Sequence, residues 1–215
     1  MKLAIFSDVH GNLPALELML QQVNTEGVTG YISLGDAVNY GPWSNECVNV
    51  LSSLPNANLL KGNHEQYFLS GHYDGNNEVA QAFFNFCYPS FREKEKIKDW
   101  KETYSLNDFS FSHTINDQYV YPDSTITLEH NTVVGHSHHQ FKIEQDPFAL
   151  YNPGSVGQNR KYINVINYLI LETDNMQFDF RSIIYDEQLI IQEMRRQNYP
   201  IICIEYYDKK ERLRR

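Results

Sequence analysis

The chain has 215 residues, of which 41% are hydrophobic and 21% charged, with a formal net charge of -9. That length supports one core and a single α/β domain spanning residues 1–215, and the acidic balance makes long nucleic acid an unlikely partner, since such binding rests on many phosphate neutralisations. Cys47, Cys87 and Cys203 are odd in number and outside any CxxC pattern, and the start "MKLAIFSDVHGN" is too briefly apolar for a signal peptide or membrane span. These features argue against a disulfide framework, a zinc finger and a membrane anchor, and point to a cytoplasmic protein.

In chain order, "KLAIF" reads as a strand ending at Ser7-Asp8, and "LPALELMLQQVNTEG" as a helix with Pro14 in its first turn and Gly27 as its stop. "GYISLGD" and "ANLLKGNHE" repeat the strand-then-loop pattern, separated by a helix in "SNECVNVLSSLP" for which Ser44 is the expected N-cap. This β-α-β-α-β alternation implies a largely parallel sheet that binds ligands at the carboxyl ends of its strands. Residues 77 to 104 read as helical, first "EVAQAFFNFC" up to Pro89 and then the charged amphipathic "SFREKEKIKDWKETY". Strands follow in "FSFSH", "NTVVGH", "QFKIEQ", "FALYNPG", "NVINYLILET" and "MQFDFRSIIYD", the last two joined by a turn at Asp174-Asn175, so the second half reads as a mixed or antiparallel sheet. "DEQLIIQEMRRQ" is the expected last helix, ending before Tyr199-Pro200, and the tail "YYDKKERLRR" reads as a frayed, solvated terminus.

The residues directly after the predicted strands are Asp8 and His10, Asp36, Asn63 and His64, His113, then His136 and His138. Turn chemistry explains any single Asp or Asn among them. Five strand ends in succession that deliver oxygen and nitrogen donors are harder to attribute to turns. In an extended "GHSH", His136 and His138 point the same way, because side chains alternate with period two. Tetrahedral zinc takes three or four ligands, so this set is too large for one ion and suits two that share a carboxylate. Such a pair, roughly 3.5–4 Å apart, clamps the attacking and leaving oxygens of an in-line displacement, which is phosphoester hydrolysis. Imidazole, carboxylate and amide donors without thiolate suit manganese, iron or zinc better than a soft ion and do not choose among them; manganese is the first expectation, with iron, zinc or nickel as alternatives.

The five blocks "SDVH", "LGD", "GNHE", "FSH" and "GHSH", in this order, resemble the signature of the calcineurin-like metallophosphoesterases, and "GDAVNYGP" and "YNPGSVGQNR" resemble its small bacterial and archaeal branch. Two departures are mild: Thr114 follows the lone His, and Ser137 and an extra His139 stand in the last block. The resemblance implies a four-layer αββα sandwich of two mixed sheets flanked by helices. It implies one divalent metal held by Asp8, His10 and His138, another by Asn63, His113 and His136, and Asp36 bridging them. It also implies a bridging water or hydroxide as nucleophile, with His64 at the leaving oxygen as stabiliser or general acid. Arg160, beyond the glycines of "NPGSVG", and Asn12 are candidate contacts to the phosphoryl oxygens. His72, His130 and His139 are read as surface or supporting residues. A small, nucleotide-like phosphomonoester or diester is the expected substrate, with Tyr40 or Trp43 available to stack on a base or to pack in the core. The competing readings are a non-catalytic scaffold on the same fold and a metallo-β-lactamase-like hydrolase. The latter lacks its H-x-H-x-D-H block, because "HSHHQF" has no aspartate.

Overall fold

The computed structural model describes residues 1–214. Strands β1 (Lys2–Phe6), β2 (Gly30–Ser33) and β3 (Ala57–Leu59) alternate with helices α1 (Leu13–Thr25), α2 (Ser44–Ser53) and α3 (Asn63–Ser70), as the sequence pattern predicts. Helices α4 (Glu78–Cys87) and α5 (Lys94–Lys98) follow, then β4 (Thr103–Leu106), β5 (Phe109–Ser112), β6 (Asn131–Val134), β7 (Gln140–Gln145) and β8 (Phe148–Pro153). The chain then forms the hairpin β9 (Val165–Glu172) and β10 (Gln177–Ile184), and ends in α6 (Gln188–Arg196) and α7 (Ile201–Asp208).

Two mixed five-stranded sheets result, in the orders β10-β9-β1-β2-β3 and β4-β5-β6-β8-β7. Within the first, β1, β2 and β3 are parallel and the β9–β10 hairpin joins β1 antiparallel. Within the second, β5, β6 and β8 are parallel, with β4 and β7 antiparallel at the edges. Period-two alternation assigns the faces. Leu3 and Ile5 of β1 meet Phe109, Phe111 and Val133 of the other sheet, whereas Ala4 and Phe6 point to the helices. Each such fully buried aliphatic side chain contributes about 1.5–3 kcal/mol of transfer free energy. Buried residues of every helix belong to the cluster on the first sheet's outer face, and the second sheet's outer residues Val134, Phe141 and Leu150 are covered by Val120 and Leu128 of the long β5–β6 connection. The α/β sandwich of two mixed sheets with flanking helices is as expected, but the helices gather on the first sheet's outer face and a long connection takes the place of the fourth layer. Among the described residues no helix is long and apolar enough to cross a membrane.

Four local expectations are corrected. The charged stretch after Pro89 is helical only over Lys94–Lys98, because Thr103–Leu106 is taken by antiparallel pairing with β5, Tyr104 opposite Phe111. Ser44 is the first residue of α2 rather than its cap, and its hydroxyl accepts the Asn39 backbone N–H. The helix expected to be the last does end before Tyr199-Pro200, as α6, but a further helix follows: Pro200 is the N-cap of α7, which buries Cys203, Ile204 and Tyr207. The tail is docked rather than frayed: Arg212 pairs with Glu187 at 3.0 Å, and the Leu213 N–H donates to Asn164 Oδ1 at 2.8 Å. Arg215, counted with that tail, lies outside the described residues.

Candidate metal centre

The parallel strands of both sheets deliver their carboxyl ends to one place. β1 leads to Asp8 and His10, β2 to Asp36, β3 to Asn63 and His64, β5 to His113, and β6 to His136 and His138. The loops are laced together by backbone bonds, Asp8 N–H to Gly35 O at 3.0 Å, His10 N–H to Asp36 O at 2.9 Å and Gly157 N–H to Asp8 O at 3.0 Å. Five ligand candidates have positive φ, namely Asp8 (58°), His10 (49°), Asp36 (57°), His136 (67°) and His138 (59°). Left-handed backbone costs roughly 1–2 kcal/mol for a residue with a Cβ, so this strain is concentrated where side chains must be aimed.

Glycine is required where these loops touch. A Cβ on Gly62 would lie 2.2 Å from Asp36 Oδ1, and one on Gly135 would lie 2.1 Å from Ser7 Oγ. Gly62→Ala is expected to push the Asp36 carboxylate aside, costing about 1–3 kcal/mol in urea unfolding and lowering metal affinity. Wild-type stability together with wild-type metal content in that variant would show that Asp36 does not depend on this contact.

Two groups of donors converge. Asp8 Oδ1 lies 3.0 Å from His138 Nε2 and 3.7 Å from His10 Nε2, and the two Nε2 atoms are 3.2 Å apart. In the other group His113 Nε2 lies 3.2 Å from Asp36 Oδ2, 3.2 Å from Asn63 Oδ1 and 3.1 Å from His136 Nδ1. Asp36 stands between the groups, its Oδ2 also 3.9 Å from His10 Nε2. All seven candidate ligands are thus brought together.

The chemistry of the donor set fits a cation. His10, His113 and His138 each turn Nδ1 toward a backbone carbonyl, Val38 O at 3.1 Å, Leu34 O at 2.9 Å and Gln158 O at 2.8 Å. A ring nitrogen facing a carbonyl carries the proton, so each neutral ring turns a bare Nε2 lone pair inward. Asp8 Oδ1, buried beside two of these, accepts no hydrogen bond. Converging lone pairs in a desolvated space repel until a positive charge sits among them. In the metal-free protein a proton partly fills that role. Burial alone would depress His113, but Asp36 beside it raises its pKa to about 9. Burial, with His113 next to it, lowers His136 to about 3, and burial with His138 pushes His10 well below the usual histidine value. Burial alone would raise the Asp8 and Asp36 carboxyls, but their histidine neighbours hold both below the ordinary range.

His64 sits on the first turn of α3, buried among the rings of His10, Tyr40 and Tyr67, with centroids 5.0, 5.5 and 5.6 Å away. The Asn39 amide donates to His64 Nδ1 at 3.0 Å, which leaves the ring proton on Nε2. Burial lowers the His64 pKa, against the pull of Asp36. Glu65, the next residue, went unread in the sequence although it closes the "GNHE" block. Its buried carboxylate accepts the backbone N–H groups of Asp36, Ala37, Val38 and Gly62 at 2.7 to 3.3 Å, and so ties the Asp36 loop to α3. Burial and the neighbouring Asp36 raise its carboxyl to about 7, with the N–H groups opposing.

Asn12 is not a phosphoryl contact. It is fully buried, its Oδ1 caps α1 by accepting the Ala15 N–H, and its amide donates to Gly157 O and the Tyr185 hydroxyl. Arg160 does face the site. It lines a cavity of about 610 Å³ together with Asn63, His64, His136 and Tyr119. Its Nη1 donates to the Tyr206 hydroxyl at 2.9 Å, and among the described residues no carboxylate pairs with it. Of the two aromatics offered for stacking, Trp43 packs against the core, while Tyr40 lines the cavity but is nearly buried. His72 and His130 are exposed; half-buried His139 bonds Ser137 O, and none of the three joins a donor group.

A two-sheet sandwich with such a cluster at its shared strand ends suits metal-assisted phosphoester hydrolysis. The chain belongs to the calcineurin-like phosphoesterase family, whose sequence model matches residues 1–165. It is 28% identical over 222 residues to the uncharacterised protein MJ0912 of Methanocaldococcus jannaschii, covering 86% of this chain and 88% of that one. Identity to phosphodiesterase YfcE of Escherichia coli K12 is 27% over 176 residues, covering 81% of this chain and 89% of that one. A metallophosphoesterase from Sphaerobacter thermophilus shares the fold with a TM-score of 0.81 over 97% of this chain and 98% of that chain, at 24% identity.

Proposed function

We propose that the protein is a cytoplasmic phosphodiesterase, acting as one domain, whose centre holds two divalent metal ions, manganese first among them. The observation that carries this reading is Asp36, whose Oδ2 lies between the two donor groups, 3.2 Å from His113 Nε2 and 3.9 Å from His10 Nε2. Asp8, His10 and His138 would hold one ion and Asn63, His113 and His136 the other, with Asp36 touching both. Bound there, the ions supply positive charge that lowers the pKa of water toward neutrality and offsets charge on the phosphoryl oxygens. The protein's own groups do the rest. Arg160 offers its guanidinium to a non-bridging phosphoryl oxygen, and His64 offers Nε2–H to the leaving oxygen. The name of the YfcE relative supports a diester substrate, with a monoester as the alternative. The scaffold reading loses support because no donor is missing from either group, Asn63 Oδ1 included at 3.2 Å from His113 Nε2.

The test pairs elemental analysis of the purified protein with hydrolysis of bis(p-nitrophenyl) phosphate and p-nitrophenyl phosphate. The expected result is two metals per chain and faster turnover of the diester, abolished by chelation and restored by added manganese. A fully metal-loaded protein that turns over neither ester would move the assignment to a scaffold.

A further inference from the structure

The last helix of the chain reaches back to the metal centre, although the family model matches residues 1–165 and α7 lies beyond them. The contact is made through the connection between β8 and β9, in which Gln158 and Arg160 stand two residues apart. The Gln158 backbone oxygen accepts His138 Nδ1–H at 2.8 Å and so aims the Nε2 of that ring, while Arg160 lines the cavity beside the donor groups. Val156 N–H to Ser7 O and Gly157 N–H to Asp8 O, both 3.0 Å, tie the start of the connection to the loop after β1. Past Gly157, two consecutive side chains of α7 take hold of it.

Tyr206 is the first of them, its hydroxyl oxygen accepting Arg160 Nη1–H at 2.9 Å. Its ring is set by Tyr40 and Phe83, each with its centroid 6.0 Å away, and by the Lys210 ammonium 4.6 Å from its own centroid. Tyr206 lines a different groove, with Val79 and Ile202, so its influence on the cavity passes through Arg160. An arginine side chain otherwise spreads over many rotamers, and fixing it in advance spares that cost when an anion binds. A phenol suits the task better than a carboxylate would. Burial raises its pKa above the ordinary value, against the pull of Arg160, so it stays neutral and holds the guanidinium without cancelling the charge.

Tyr207 points elsewhere, since successive residues of a helix diverge by about 100°. Fully buried, its hydroxyl takes the side-chain amide of Gln158, which is fully buried as well. Gln158 Oε1 accepts no hydrogen bond, so among the described residues the Tyr207 hydroxyl is the one partner of that amide. Without it a dry amide would be left on the residue whose carbonyl orients His138, and a buried amide with no partner is costly enough to move. We propose that α7 is part of the site: Tyr206 is a positioning residue for Arg160, and Tyr207, through Gln158, is one for His138. The first half rests on the reading that Arg160 meets a phosphoryl group, and the second needs only that His138 holds a metal.

The experiment uses the full chain with two readouts that do not depend on turnover. Manganese binding is followed by the loss of the free-ion EPR signal, and inorganic phosphate binding to the manganese-saturated protein by calorimetry. Tyr206→Phe is expected to raise the phosphate Kd by roughly 3- to 10-fold, the worth of one hydrogen bond, with manganese binding unchanged. Tyr207→Phe is expected to weaken manganese binding by on the order of 10-fold, with the phosphate Kd at saturation unchanged. In an Arg160→Ala background Tyr206→Phe should add nothing, because its route to the ligand is gone. A helix that merely supports the fold would shift both readouts together in both variants, and that result, or no shift in either, would overturn the proposal. So would a Tyr206→Phe effect that persists without Arg160. Failure of the wild type to bind phosphate would overturn the role of Arg160 and that of Tyr206 with it. The predicted shifts in a protein that hydrolyses neither ester would remove the phosphodiesterase reading and leave the positioning roles standing.

Discussion

Asp36→Asn is expected to strip metal from both donor groups at once and to lower kcat/KM by on the order of 10³-fold or more, since charge stabilisation by bound metal is worth several kcal/mol. The side chains are nearly the same shape, so the effect is electronic. Asp36 Oδ1 accepts the His64 backbone N–H at 2.9 Å, and an asparagine keeps that bond only by placing its carbonyl oxygen there. Its NH₂ group then stands where Oδ2 was, aiming hydrogens at the point shared with His113 and His10. A donor in place of a bridging acceptor, together with the loss of one negative charge, repels both cations. Metal counted per chain in the variant checks this directly. Loss of a single ion with the other retained would contradict the bridging role and would confine Asp36 to the group of His113.

The strand ends were legible because a parallel sheet places successive loops at one edge and the donors sit one to four residues past each strand, whatever the helices do between. The backbone conformation that aims them was not. Asp8, His10, Asp36, His136 and His138 adopt positive φ without being glycine, and although aspartate and histidine are enriched in that region, the preference is too weak to place it at these five positions. It is imposed by loop-to-loop bonds such as His10 N–H to Asp36 O. The role of Asn12 is hidden for a related reason. A polar residue after a ligand block looks the same in sequence whether it faces substrate or caps the next helix, and here Pro14 just inside α1 was the available sign of a cap. Glu65 could have been found, because a glutamate at the third position of a helix commonly folds back on the N-terminal N–H groups, as it does to Gly62. Tyr119 could not, since it lies in a connection without periodicity and is brought to His136 only by the tertiary fold. α7 was hidden by its own composition. Its apolar residues run nearly all round the helix, Ile201 and Ile202 to solvent and Cys203 and Ile204 to the core, so no single stripe marks it.

His64→Ala should lower kcat by roughly 10²–10⁴-fold on diesters of alkyl alcohols while the metal content stays at that of the wild-type protein. The separation of the two readouts follows from the geometry. The Nδ1 side of the ring is occupied by the Asn39 amide at 3.0 Å, and its backbone N–H already serves Asp36 Oδ1, so removing the ring leaves that contact in place. What disappears is the Nε2–H of a ring that lines the cavity. Because burial keeps the ring below the usual histidine pKa, it is neutral near pH 7 and acts by donating that one hydrogen bond to the charge that grows on the departing oxygen. The benefit must then scale with how much charge the oxygen carries. p-Nitrophenolate, which leaves readily, should feel the mutation least and a simple alkoxide most, and His64→Gln, which keeps an N–H in the same region, should fall between wild type and alanine. A loss of equal size across leaving groups would instead assign His64 to holding the phosphoryl group, and a loss of metal would make it a metal ligand, since its ring also converges with His10 and Asp36 in a third set of possible donors.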